Sequence, residues 1–68
     1  MNMIETLEAV MRERNAQLIT NFYSGDGEER GVWVGLRDIR TQTNIAEARA
    51  LTLRDAITEI LETLGVTQ

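Results

Sequence analysis

The side chains that most often perform catalysis are scarce in this 68-residue chain, which contains no Cys and no His. Ser24 is its single serine, and no imidazole exists to activate it as a nucleophile. The adjacent carboxylates Glu28 and Glu29 are expected in a solvated loop, which lacks the pocket that would make one an acid and the other a base. We therefore predict a non-enzymatic protein without a cofactor or a metal.

A second candidate for chemistry is the sequence Gly25-Asp26-Gly27, because glycine-rich loops can cradle phosphate groups. The third glycine of a dinucleotide-binding fingerprint would fall at Arg30, and a strand pattern follows where that motif requires a helix. An EF-hand loop would need alternating acidic residues and a closing Glu, which are missing. Asp-Gly is instead a strong β-hairpin signal, so we predict a turn.

The charge and hydrophobicity of the chain limit the kinds of partner that it can bind. Eleven acidic residues against seven arginines give a net charge of −4, which argues against nucleic acid because phosphate binding depends on cations. The first residues lack the basic start and apolar run of a signal peptide, and no apolar stretch is long enough to span a membrane. We expect a cytoplasmic protein without a membrane partner.

Alternation with period two predicts two strands, at residues 17–23 and 30–37, joined as a hairpin. One face of this pair is mainly apolar and contains Leu18, Thr20, Phe22, Val32, Val34 and Leu36. The opposite face contains Ile19, Asn21, Tyr23, Trp33, Gly35 and Arg37.

Helical spacing predicts two helices. The first covers residues 3–15, begins at a capping box of Asn2 and Glu5, and has the apolar stripe Ile4, Leu7, Val10 and Met11. The second begins at Thr52, whose capping-box partner is Asp55, and closes at Gly65, with Val66 in the apolar position of a Schellman cap. Its stripe comprises Leu53, Ala56, Ile57, Ile60, Leu61 and Leu64.

Residues 44–51 admit two interpretations. Alternation places three alanines on one face (Ala46, Ala48 and Ala50) and Ile45, Glu47 and Arg49 on the other, as in a third strand. The rival is one helix over residues 45–64, because Ala, Glu and Arg favour helix. We prefer the strand, since a cap at Thr52 inside a continuous helix would have no free N–H to satisfy.

The predicted fold is therefore α+β, a single domain over residues 1–68 in the order α-β-β-β-α. Three antiparallel strands form the sheet, and two helices cover one of its faces. The alternative is α-β-β-α with a long C-terminal helix.

This order of elements resembles the double-stranded-RNA-binding domain, in which the second helix also follows the third strand. That family grips phosphates with a lysine-rich start of the second helix, whereas the corresponding LTLRDAITEI offers Arg54 and, just before it, Arg49. The chain also resembles small, acidic, lysine-poor proteins of phages and prophages, which carry a Trp-containing strand and a TL-x-x-A-I helix. That resemblance implies an inhibitor or regulator of a host protein.

If the helices cover the valine face, an aromatic face remains open; in the reverse packing Trp33 points inward and the valines outward. Tyr, Trp and Arg are enriched at binding hot spots. We expect a homodimer, paired face to face or edge to edge, that binds another protein. Alternatives are a small anionic ligand, stacked on Tyr23 or Trp33 and held by arginines, and a degenerate RNA-binding domain. The predicted binding residues are Ile19, Tyr23, Trp33, Arg37, Arg40 and Arg49.

Overall fold

Five elements follow one another in the computed structural model, which describes residues 2–24 and 30–66. They are α1 (Met3–Arg14), β1 (Ala16–Ser24), β2 (Arg30–Asp38), β3 (Asn44–Ala50) and α2 (Leu53–Thr63). The α-β-β-β-α order is confirmed, and the alternative helix over residues 45–64 is wrong because its first part is β3. The predicted turn at residues 25–27 and the carboxylates Glu28 and Glu29 lie outside the described residues.

Both helices begin where side-chain caps are available. Asn2 Oδ1 accepts the backbone N–H of Glu5 at 2.8 Å, and Thr52 Oγ1 accepts that of Asp55 at 3.2 Å. Each cap satisfies one of the N–H groups that the first helical turn leaves free. These local bonds fix the starts of α1 and α2 close to their predicted positions.

The end of α2 has the predicted Schellman cap. Gly65 adopts a φ of 75°, its N–H donates to the Glu62 carbonyl at 3.0 Å, and the Val66 N–H donates to the Leu61 carbonyl at 2.9 Å. Val66 then packs against the core. The positive φ explains why glycine occupies this position.

The sheet has the order β1-β2-β3 with both pairs antiparallel. Leu36 of β2 lies opposite Leu18 of β1 and Ala46 of β3. The register between β2 and β3 shifts next to Leu36, where Arg37 is opposite Asn44 and Ile45 has no partner. This irregularity explains why Ile45, placed by alternation beside Glu47 on the far face, packs against the core instead.

The core lies on one face of the sheet, where α1 packs on β1 and α2 packs on β2 and β3. Val32, Val34 and Leu36 are each at most 1% exposed, so the reverse packing is wrong. The alanines of β3 share this face and bring α2 close to the strand. The buried apolar residues are Leu7, Val10, Ala16, Val32, Val34, Leu36, Ala46, Ala56, Ile57, Ile60 and Leu61.

Three apolar side chains that we expected to be covered are exposed, each at the margin of the core. Phe22 is 70% exposed near the hairpin end of β1. The start of α1 lies against α2, where Met3 Sδ is 3.4 Å from Thr58 Oγ1. Ile4 is 50% exposed because α1 turns Met3 toward the core, and Leu53 is 37% exposed on the first turn of α2. The spacing of apolar residues predicted which side of each element faces the core, but not how far along the element the core extends.

Within the described part of the chain, neither helix combines the length and hydrophobicity that a bilayer crossing requires.

Candidate functional site

The candidate site is the sheet face opposite the helices, which we call the open face. The core takes its sheet residues almost entirely from the other face, so alternation leaves polar, aromatic and glycine residues here. From the β1–β2 hairpin downward, the rows across the strands are Tyr23–Gly31, Asn21–Trp33–Arg49, Ile19–Gly35–Glu47 and Gln17–Arg37–Asn44.

The indole of Trp33 extends along its own strand and lies over Gly35. A methyl group added to Gly35 would come within 2.9 Å of Trp33 Cζ2, so any larger residue would displace the ring. In the register, Ile19 and Glu47 stand on either side of Gly35 and therefore flank the indole. Trp33 is half-buried although it lies outside the core, because its indole packs over Gly35.

Tyr23 and Arg49 meet across the central strand at the hairpin end of the open face. The Arg49 guanidinium carbon lies 4.9 Å from the centre of the Tyr23 ring, in the range of a cation–π contact. The two residues belong to β1 and β3, whose spacing is about 10 Å, and Gly31 of β2 is opposite Tyr23. Because Gly31 has no side chain, the arginine can reach over β2 to the ring.

Gly31 is also required by the backbone. Its φ is 152°, a conformation that favours glycine. A Cβ at this position would lie 2.7 Å from the carbonyl oxygen of Ala50. The residue that opens space between Tyr23 and Arg49 is therefore fixed by the close approach of β2 and β3.

Arg37 lies at the opposite end of the open face, away from Tyr23. Its Nε donates to Asn44 Oδ1 at 3.5 Å, and Asn44 Nδ2 donates to Glu47 Oε2 at 3.1 Å. Arg37 as a whole is half-buried, and its side chain joins this row of polar groups along β2 and β3. Arg37 thus shares the face with Trp33 but not the cation–π cluster of Tyr23 and Arg49.

Arg40 lies outside the strands, in the turn between β2 and β3. Asp38 Oδ1 organises that turn by accepting the backbone N–H groups of Arg40 at 2.8 Å and Thr41 at 3.1 Å. The exposed Arg40 side chain therefore starts at the end of the sheet. Of the six predicted binding residues, Ile19, Tyr23, Trp33, Arg37 and Arg49 share the open face, and Arg40 does not lie on its strands.

Two polar residues of β1, Gln17 and Asn21, also belong to the open face, although we did not name them as binding residues. The alternation in β1 already placed Asn21 beside Ile19 and Tyr23, and Gln17 lies two positions before Ile19 on the same face. Glu47 was likewise placed on this face, but its position next to the indole follows from the pairing of β3 with β2. For Glu47 the signal was thus the register between β3 and β2, which alternation within a single strand does not give.

An open groove of about 480 Å³ runs between β3 and α2. Its lining is acidic and comprises Glu47, Ala48, Glu59, Glu62 and Thr63. Three carboxylates oppose the binding of an anion by charge repulsion. Over residues 2–24 and 30–66, no group of three or more acidic side chains has an arrangement suited to a metal ion.

No protein-family model, no curated protein and no solved structure matches this chain. The similarity to the double-stranded-RNA-binding domain therefore stays a prediction from the order of elements.

Proposed function

We propose that the protein is a non-enzymatic interaction module that binds another protein through its open face. The observation that carries this proposal is the grouping of Trp33, Tyr23 and Arg49 on one uncovered face of the sheet. These three residue types are the ones enriched at interface hot spots. We place the protein in the cytoplasm, acting as a homodimer on a second protein.

The open face is suited to binding because its large side chains are already held in position. Trp33 rests on Gly35, and Tyr23 is stacked against Arg49. Ordering a flexible side chain at an interface costs about 0.5–1.5 kcal/mol, and side chains that are held before binding lose less. Tyr23 is still 42% exposed, so a partner can bury much of its ring.

A regulator or inhibitor of a host protein is the form of this function that the likeness to small phage proteins suggests. The structure supports this form of the function by size and surface: the domain is small, its net charge is −4, and Trp33 lies on the open face. The acidic exterior would favour a partner with a basic rim around an apolar centre.

The contact between Tyr23 and Arg49 supports a second candidate, a binder of a small anionic ring compound. Such a ligand could stack on Tyr23 or Trp33 while Arg49 or Arg37 neutralises its charge. The acidic groove between β3 and α2 is unsuited to it, so the open face would be the site. A thermal-shift screen against nucleotides tests this candidate, and an unchanged melting temperature across the panel would contradict it.

An RNA-binding function is the third candidate and has the least support. The start of α2 presents one exposed cation, Arg54, directly followed by Asp55. Phosphate contacts need several cations on one surface. Affinity for double-stranded RNA that persists at about 200 mM salt would support this candidate over the other two.

Affinity capture from cell extract tests the leading proposal. Immobilised wild-type protein is compared with Trp33→Ala and with the charge-reversed Arg49→Glu, and bound proteins are quantified by mass spectrometry. The matched control is Glu13→Ala, on the exposed side of α1. A specific partner should be retained by wild type and Glu13→Ala and reduced at least tenfold by both open-face variants.

Circular dichroism must show that the variants keep the wild-type helix and strand content. Equal recovery of every bound protein by wild type, Trp33→Ala and Arg49→Glu would exclude the open face as the binding surface.

A further inference from the structure

The two edge strands of the sheet differ in a way that indicates where another strand can add. β1 and β3 are the edges of the order β1-β2-β3. β3 carries Glu47 and Arg49 and has a register irregularity at its start, and charges and bulges both discourage pairing with a further strand. β1 spans nine residues, AQLITNFYS, without a charge or a proline. Among the described residues, β1 is therefore the edge that carries neither of these two features.

The hydrogen bonding at the start of β1 shows which of its backbone groups point outward. The Asn15 carbonyl accepts the Ile39 N–H at 3.1 Å. Asn15 and Ile39 are the chain neighbours of Ala16 and Asp38, the first residues paired between β1 and β2, so this bond continues the same ladder. Hydrogen-bonded and non-hydrogen-bonded positions alternate along an antiparallel ladder. The odd-numbered residues of β1 thus bond to β2, and the outward N–H and C=O groups belong to even-numbered residues, among them Leu18, Thr20 and Phe22.

The second half of β1 is also open on both of its faces. All four residues from Thr20 to Tyr23 are exposed, including Phe22 on the helix side of the sheet. Toward the start of the strand the exposure falls, since Leu18 and Ile19 are half-buried and Ala16 is buried. This half of the edge is therefore open to a further strand.

We propose that two copies of this chain pair antiparallel through β1, about a two-fold axis at Thr20, to form a continuous six-stranded sheet. This inference rests on the proposed function, to which it adds the interface and its register. Thr20 is the middle residue of Ala16–Ser24 and has outward backbone groups, so this register uses the whole strand. It also sets Leu18 opposite Phe22 of the second copy, which covers part of the exposed ring.

A second copy is the occupant that suits this register, because β1 is uncharged and pairs with itself about its middle residue. Each chain carries a net charge of −4, so two copies repel one another over most of their surfaces. The β1 edge adds no charge of its own to this repulsion, because the strand carries none. In this pairing the two open faces lie on the same side of one sheet, and the dimer presents two copies of the Trp33 site to a partner.

Charge pairs at the axis test the register directly. In the proposed dimer Thr20 lies opposite its own copy, so Thr20→Lys or Thr20→Glu places like charges against each other, whereas a mixture of the two variants places opposite charges together. Light scattering coupled to size exclusion should give twice the monomer mass of 7.7 kDa for wild type. Each variant alone should be monomeric, and the mixture should recover the dimer.

The matched controls are Thr63→Lys and Thr63→Glu, at an exposed threonine of α2, and both should remain dimeric. A wild-type protein that stays monomeric at every concentration would overturn the proposal. Dimers of Thr20→Lys alone, or a mixture that stays monomeric, would overturn the register.

Amide hydrogen exchange of the wild type provides a test without substitutions, in case the charged variants do not fold. In the dimer the N–H groups of Thr20 and Phe22 should be protected about as well as that of Asn21, and dilution should remove this protection. Fast exchange at both residues at all concentrations would overturn the proposal.

The dimer and the proposed function can fail separately. A monomer that still binds its partner protein through Trp33 would overturn the dimer alone. A dimer whose binding to a partner protein does not depend on Trp33 would overturn the proposed function alone.

Discussion

The indole of Trp33 lies on Gly35, two residues further along the same strand. The contact holds the largest side chain of the protein outside the core, on the face of the sheet that the helices leave open. Packing against the backbone of Gly35 restricts the positions that the indole can adopt on this surface.

Replacing Gly35 with Ala should displace the indole, because the new methyl group would lie 2.9 Å from Trp33 Cζ2. We expect the free energy of unfolding to fall by about 1–3 kcal/mol, as for other insertions into a packed contact. Tryptophan fluorescence should shift to longer wavelength and become easier to quench with acrylamide. Urea denaturation measures the stability change.

The control for this experiment is the same substitution in a Trp33→Ala background. Without the indole the methyl group has space, so Gly35→Ala should then cost much less. An equal cost in both backgrounds would show that the glycine is needed by the backbone of β2 and not by the ring.

The contact between Tyr23 and Arg49 should contribute modestly to stability. For an exposed cation–π pair we expect a coupling of about 0.5–1 kcal/mol, obtained from a double-mutant cycle of Tyr23→Leu and Arg49→Gln by urea denaturation. Arg54→Gln, at an exposed arginine of α2, serves as the matched control and should show no coupling with Tyr23→Leu. Additive single effects at Tyr23 and Arg49 would mean that the pair has no energetic role.

The same substitution at two leucines should separate the core from the surface. Leu36 is fully buried between the sheet and the helices, so Leu36→Ala should lower the free energy of unfolding by about 2–5 kcal/mol. Leu51 is 76% exposed after β3, and Leu51→Ala should change it by less than about 0.5 kcal/mol. Similar losses in thermal or urea unfolding would contradict this placement of the core.

Removing the cap of α2 should destabilise the protein without disturbing its packing. Thr52→Ala leaves the Asp55 N–H without its side-chain acceptor, at a cost of about 1 kcal/mol. Thr52→Asp should restore most of the loss, since Asp is at least as good a cap. Thr63→Ala, at the other end of the helix, is the control in the same urea titration, and a loss there equal to that of Thr52→Ala would argue against a capping effect.

Local sequence determined where most elements begin and end. Asn2 and Thr52 supply caps that act within a few residues, and Gly65 permits the positive φ that ends α2. Alternation in β1 and β2 separated the aromatic face from the valine face. These features depend on near neighbours in the chain, which is why they could be predicted from the order of residues.

Tertiary structure decided which apolar side chains the helices cover and which side chains contact one another across the strands. Nothing in the local sequence shows that Phe22 is exposed, because this depends on how the helices pack on the sheet. The contact of Tyr23 with Arg49 joins two residues 26 positions apart through the registers on both sides of β2. The residue types of the candidate site were thus determined by the sequence, whereas their arrangement was determined by strand pairing and helix packing, which act between distant parts of the chain.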